Sequence, residues 1–131
     1  MSTEAPVDTY FENSRRVWDA AHERGVTFRA VGQEPGWVLE MEGSTRITLA
    51  TNYGADRIET SVPEPVRDPA TGALTYHVVT PAHELRIRIR EDPCSDTMSG
   101  ERFAMTVDVM LNGTTYHGCG RMLGDGLDSP S

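Results

Sequence analysis

The residues able to do chemistry in this chain are two cysteines, Cys94 and Cys119, and one histidine close to the second of them. Cys94 lies in Pro93-Cys94-Ser95-Asp96-Thr97-Met98-Ser99-Gly100, and Cys119 in Tyr116-His117-Gly118-Cys119-Gly120-Arg121. Three chemistries are open to such a pair. Oxidised, it is a disulfide stapling a loop onto a sheet. Reduced, Cys94, His117 and Cys119 offer two thiolates and an imidazole to a metal, with Asp108 as a further ligand or as the group that orients the imidazole. The third is a redox nucleophile at Cys119, its pKa lowered by His117 or Arg121. The cysteines lack Cys-x-x-Cys spacing and no resolving motif accompanies them. A structural disulfide is therefore the expected state, with no cofactor.

No other reaction centre is legible. There is no Gly-x-Ser-x-Gly elbow, and a phosphate-cradling loop ending in Gly-Lys cannot occur in a chain without lysine. Gly118, Gly120 and Gly124 follow a strand, but no helix comes after them, so a dinucleotide site is not expected. Arg86, Arg88 and Arg90 share one strand face and read as a solvated ladder neutralising neighbouring carboxylates. His22, His77 and His83 are isolated. The expectation is a protein that is not an enzyme.

The 131 residues suffice for one domain with a real core, and a hydrophobic fraction of 37% with 24% charged residues is ordinary for a globular chain. All 12 basic residues are arginine, against 20 acidic ones, giving a net charge of −8. That balance disfavours nucleic acid, whose affinity rests on cationic neutralisation of phosphates. A basic protein partner, or simply solubility, suits it better. No apolar run approaches the roughly 20 residues that span a bilayer. The start, Met1-Ser2-Thr3-Glu4-Ala5-Pro6, has neither a basic nor an apolar signal region. The expected disulfide makes a mature, exported form the preferred reading, with a cytoplasmic protein as the alternative.

The elements that must position these residues follow from periodicity. Residues 9–24 form the one predicted helix, with Asp8 or Thr9 as N-cap and Gly25 as the left-handed residue after its end. Phe11, Ser14, Val17, Trp18 and Ala21 recur at three- and four-residue steps, which predicts a helix packed across the sheet or capping a barrel end. Beyond Gly25 the period becomes two. Val26, Phe28 and Ala30 alternate with Thr27 and Arg29, and Glu34-Pro35-Gly36-Trp37 carries a type II turn signature. Trp37, Leu39 and Met41 continue the alternation, followed by Ile47 and Leu49, by Ile58, Thr60 and Val62, by Leu74, Tyr76 and Val78, and by Leu85, Ile87 and Ile89. The three prolines between Pro63 and Gly72 predict a loop there. The fold expected is mostly β: a small antiparallel β-barrel or sandwich of about eight strands with one N-terminal helix. Residues 1–8 are expected to be a flexible segment, 9–123 the single domain, and 124–131 a loose tail.

The last hairpin can be registered residue by residue. Asn112-Gly113 is the preferred two-residue type I′ loop. It sets Leu111 opposite Thr114, Val109 opposite Tyr116, Asp108 opposite His117, Val107 opposite Gly118 and Thr106 opposite Cys119. With Phe103, Met105, Val107, Val109 and Leu111 on the apolar face, His117 and Cys119 must point away from the main core. Cys94 reaches Cys119 only if the loop from Asp92 to Arg102 folds back over the outside of the hairpin.

Three segments carry a resemblance: Phe28 to Trp37, Cys94-Ser95-Asp96-Thr97-Met98-Ser99-Gly100, and Asn112-Gly113 with Tyr116 and Gly118-Cys119-Gly120-Arg121. Together they resemble a family of bacterial periplasmic or outer-membrane-associated lipoproteins of unassigned function, sometimes found with META or lysozyme-inhibitor-like domains. The resemblance covers about residues 24–123 and implies an envelope location and a Cys94–Cys119 disulfide, not an activity. The chain has no lipobox cysteine, so membrane attachment would need a lipid anchor absent from this sequence. Met98-Ser99-Gly100-Glu101-Arg102-Phe103 is also similar to the Ser-Gly-x-x-Tyr loop that membrane-bound C-type lysozyme inhibitors insert into lysozyme, with Phe103 in place of the tyrosine.

The expectation is a monomeric, non-enzymatic binding or structural domain of the cell envelope, held by one disulfide. Its binding surface is expected at Glu34, Trp37, Asp96, Met98, Ser99, Gly100 and Arg121, where polar and glycine-rich loops sit on a rigid scaffold. The expected partner is a protein or cell-wall ligand, a basic protein such as lysozyme included. A C-type-like lysozyme inhibitor and a Cys94–His117–Cys119 metal protein are the alternatives.

Overall fold

A computed structural model describes residues 16–33, 36–96 and 100–123. It is a curled antiparallel sheet of nine strands forming a half-barrel, with one short helix among the described residues. The strands run β1 (Phe28–Gly32), β2 (Trp37–Glu42), β3 (Arg46–Thr51), β4 (Asp56–Thr60), β5 (Val66–Arg67), β6 (Leu74–Val79), β7 (Glu84–Arg90), β8 (Cys94–Ser95), β9 (Arg102–Phe103), β10 (Met105–Leu111) and β11 (Thr114–Met122). The helix, α1, covers residues 16–23 of the described chain. The ends 1–8 and 124–131, and the first part of the predicted helix, lie outside the described residues.

The sheet order is β4-β3-β2-β1-β11-β10-β7-β6-β5, with β8 and β9 paired apart from it. This is an up-and-down barrel cut open at one seam. The last strand returns to pair with the first, and the two free edges, β4 and β5, are neighbours in sequence. Only Ser61-Val62-Pro63-Glu64-Pro65 joins them. Six Cα steps span at most about 20 Å, so the link forces the sheet to curl. Its two prolines cannot donate to a ladder, which leaves the seam open. The predicted loop from Pro63 to Gly72 is thus partly strand, since Val66 and Arg67 pair with Thr75 and Leu74.

The core fills the inside of the curl. Phe28, Ala30, Trp37, Leu39, Met41, Ile47, Leu49, Leu85, Ile87, Ile89, Val107 and Val109 form one buried cluster, the inward positions of strands with period two. Glycines let the largest ring in: a Cβ on Gly32 would lie 2.0 Å from Trp37 Nε1, and one on Gly118 2.7 Å from Trp37 Cζ2. Trp37 opposes Gly32 across the β1–β2 ladder, so a side chain there would fill the space of the indole.

A second, smaller cluster lies on the outer face. Trp18, Phe103 and Cys119 are buried together, flanked by Val31, Cys94 and Leu123. Helix α1 ends as its sequence predicts. Gly25 takes φ 98°, and the N–H groups of Gly25 and Val26 donate to His22 O and Ala21 O at 3.0 Å each, a Schellman closure. Of the predicted helical stripe, Trp18 and Ala21 are buried, but Val17 is 44% exposed. Phe103 corrects another expectation. A break at Ala104 separates β9 from β10, so Phe103 leaves the inward parity of Val107 and Val109 and packs outside against Trp18.

Candidate functional site

The hairpin register stands in the structure as the turn chemistry dictates. Asn112 and Gly113 adopt φ 49° and 90°, and Asp108 opposes His117 while Thr106 opposes Cys119. Asn112 also fixes the hairpin to β7, accepting from Glu84 N at 2.8 Å through its side-chain oxygen. The outward faces of β11, β10 and β7 therefore form one continuous row, because β10 pairs with β7 on its other side.

Over that row folds the segment carrying Cys94. A disulfide joins Cys94 to Cys119 with their Cα atoms 5.5 Å apart. The bridge is what carries the loop back across the hairpin. β8 then pairs with β9, Cys94 opposite Phe103, and Asp96 is held at the edge. Its N–H donates to Glu101 O at 2.9 Å and its carbonyl accepts from Gly100 N at 2.7 Å. Gly100 has φ 77°, a conformation that favours glycine. With both sulfurs in the bond, neither is a thiolate, so the Cys94–His117–Cys119 metal arrangement is incompatible with this state. Among the described residues no group of three or more His, Cys, Asp or Glu is placed to hold a metal ion.

Between loop and sheet lies a cleft of about 310 Å³, lined by Gly32, Gln33, Arg90, Cys94, Ser95, Asp96, Thr106, Asp108, His117, Gly118 and Cys119. Its charged groups form a chain of pairs. His117 Nδ1 lies 2.6 Å from Asp108 Oδ1, and Arg90 Nη2 lies 3.8 Å from Asp108 Oδ2. Arg90 Nη1 donates to Asp92 Oδ2 at 3.1 Å, and Thr106 Oγ1 donates to Asp92 O at 2.7 Å. Across the cleft Gln33 Nε2 donates to the buried Asp96 at 3.4 Å. The arrangement sets many hydrogen-bonding groups around one arginine, Arg90, and three carboxylates, Asp92, Asp96 and Asp108.

The expected surface residues separate into different places. Asp96 lines the cleft, and Gly100 closes its loop. Trp37 is buried at 2% exposure in the main core. Arg121 points to the outer cluster, its guanidinium carbon 5.0 Å from the Trp18 ring centre and 4.5 Å from that of Phe103. It also donates to Arg102 O at 3.1 Å. Its work there is to hold α1 and β9. Glu34, Met98 and Ser99 lie outside the described residues, and with them most of the lysozyme-inhibitor-like loop.

Arg29 completes the outer support. Its guanidinium carbon stands 4.6 Å from the Trp18 ring centre, and its Nε donates to Glu40 Oε2 at 3.0 Å. Burial pushes the Arg29 pKa down, partly offset by Glu40. Burial also pushes the Glu40 carboxyl up, but hydrogen bonds from Arg24 and Arg29 outweigh it and hold the group below the ordinary range.

Sequence reasoning does not find Gln33, Arg90 and Thr106 as cleft residues. Strand alternation puts Arg90 on the outward face, yet nothing local says that β7 lies beside β10. Compared with family models, curated proteins and solved structures, the chain finds no match among any of the three.

Proposed function

We propose that this chain is a non-enzymatic binding domain of the bacterial envelope, working in an oxidising compartment. One observation carries the reading: the Cys94–Cys119 bridge holds a polar loop over the outer face of the sheet and thereby builds a cleft of about 310 Å³. A disulfide is compatible with export and persists in an oxidising compartment. Loops fixed on a rigid β scaffold are where binding residues concentrate. The net charge of −8 sets nucleic acid aside as the ligand. The side chains of Gln33, Asp96, Thr106, Asp108 and His117 that line the cleft fit holding a ligand by hydrogen bonds.

The test is amide-shift mapping on isotope-labelled protein titrated with solubilised fractions of a bacterial envelope. The reading predicts perturbations concentrated on Gln33, Ser95, Asp96, Thr106, His117 and Gly118. Perturbations confined to the opposite side of the half-barrel, or none with any fraction, would remove it.

A further inference from the structure

Beside the polar cleft lies a second one, and the two share Gly32 and Gln33. It is a hollow of about 400 Å³ lined by Val31, Gly32, Gln33, Gly36, Trp37, Val38, Ala50, Tyr53 and Gly54. Its outermost member is Tyr53, in the turn between β3 and β4. Tyr53 is 78% exposed, the most exposed large hydrophobic residue among those described. Its backbone adopts φ 57° and that of Asn52 φ 53°. Two successive non-glycine residues in the left-handed region are uncommon, and such strain persists where the surroundings impose it. Here they do. Tyr53 N donates to Gly36 O at 2.9 Å and Gly54 N to Thr51 O at 3.0 Å, and the Asn52 side chain bonds Asp56. The ring rests against Gly36, where a Cβ would stand 2.9 Å from Cδ1. The turn thus holds an aromatic ring at the rim of the hollow, with most of its surface in water.

We infer that the two clefts together form one site for a neutral oligosaccharide, a reading that rests on the binding function proposed above and names its ligand class. A pyranose ring has an apolar C–H face and a rim of hydroxyls, each both donor and acceptor. The exposed Tyr53 ring offers the flat apolar platform that such a face needs. The shared Gly32–Gln33 corner leads from that platform into the polar cleft. There Gln33, Asp96, Thr106, Asp108 and His117 present planar and hydroxyl groups for hydroxyl recognition. Charge selects the ligand further. Among the described residues Arg90 is the only arginine lining the polar cleft and already pairs with Asp92 and Asp108, while Asp96 adds a further carboxylate. An anion would compete with Asp92 and Asp108 for Arg90. A neutral polyol leaves both Arg90 pairs in place and donates its hydroxyl protons to the carboxylates. The two hollows, about 310 and 400 Å³, share the Gly32–Gln33 corner and have room for more than one sugar ring, so the ligand is an oligosaccharide.

The test uses the full oxidised chain, isotope-labelled, titrated separately with tri-N-acetylchitotriose, maltotriose, sodium phosphate and spermine at millimolar concentration. The expected result is saturable amide shifts with at least one of the two sugars, centred on Gln33, Gly36, Tyr53, Asp96 and Gly118, and none of comparable size with phosphate or spermine. Tyr53→Asn, which keeps a residue tolerant of positive φ while removing the ring, is expected to weaken the sugar about tenfold. Gln33→Ala is expected to weaken it as well, with the rest of the amide spectrum unchanged. No shift with either sugar overturns the inference. So does saturable binding that Tyr53→Asn leaves intact, or binding of phosphate or spermine in place of sugar. Cleft perturbation by envelope fractions that survives Tyr53→Asn would retain the binding domain and discard the oligosaccharide.

Discussion

Removing the bridge is the perturbation whose size can be worked most directly. The variant is the double Cys94→Ala/Cys119→Ala, which leaves no lone thiol. The two cysteines are 25 residues apart. On the loop-entropy relation a closed loop of that length constrains the unfolded chain by about 12 cal/mol/K, or about 3.5 kcal/mol at 25 °C. A chain of 131 residues unfolds near 60 °C with an entropy of about 0.28 kcal/mol/K. The predicted loss in Tm is therefore about 13 °C. None of the twelve residues of the main core is a cysteine, so the half-barrel should survive. The outer cluster should loosen, because Cys119 and Cys94 pack against Trp18 and Phe103. Thermal unfolding followed by far-ultraviolet circular dichroism gives the Tm, and Trp18 signals in the amide spectrum report the cluster. A fall of less than about 4 °C would show that the bridge does not close this loop in the native protein. Loss of all sheet signal at 25 °C would refute the separation of the core from the outer cluster.

Further outcomes follow from the packing and charges. Gly118→Ala places a Cβ 2.1 Å from Val31 O, a backbone atom that cannot turn aside; it should cost at least about 3 kcal/mol in urea unfolding. Gly43→Ala, at φ 55° with nothing within 4 Å of the new carbon, should cost only about 1 kcal/mol in the same assay. Glu40→Ala leaves the buried Arg29 guanidinium without its carboxylate and should cost about 3–5 kcal/mol. Because the folded Glu40 pKa lies below its ordinary value, its contribution is present above the unfolded carboxyl pKa, about 4.3, and is lost as pH falls through the folded one. Stability measured across the acidic range should lose that part of its slope in Glu40→Gln. Trp18→Ala should cost about 3–5 kcal/mol by emptying the space between Phe103, Arg29 and Arg121, with helix signal lost and strand signal kept.

Some of this fold is legible in local chemistry alone. Asn112-Gly113 sets the last hairpin because only a few loops turn a chain in two residues, and side-chain parity then sends Cys119 and His117 outward. Gly25 marks the end of α1 because a left-handed residue closes a helix best. Parity fails where the ladder does: the break at Ala104 sends Phe103 to the outer face. Trp37 reads as a turn-side binding residue because its nearest neighbours in sequence are Pro35 and Gly36, whereas its burial depends on Gly32 and Gly118 across two strands. The order of the sheet is not legible, since pairing β1 with β11 joins residues about ninety positions apart. For the same reason Arg90 can be placed on a face but not beside Asp108. The hollow under Tyr53 is likewise hidden, because it depends on the left-handed turn at Asn52-Tyr53-Gly54 meeting Gly36.

The most direct test of the central claim compares binding by the oxidised chain and by the folded Cys94→Ala/Cys119→Ala variant. Both are titrated with the same envelope fraction that perturbs the cleft amides, below the lower of their two unfolding temperatures. If the bridge builds the site, the variant keeps its sheet spectrum but binds at least about tenfold more weakly, as expected when a preorganised loop becomes free. Equal affinity in the two proteins would mean that the loop held by Cys94 is no part of the site, and the account would fail.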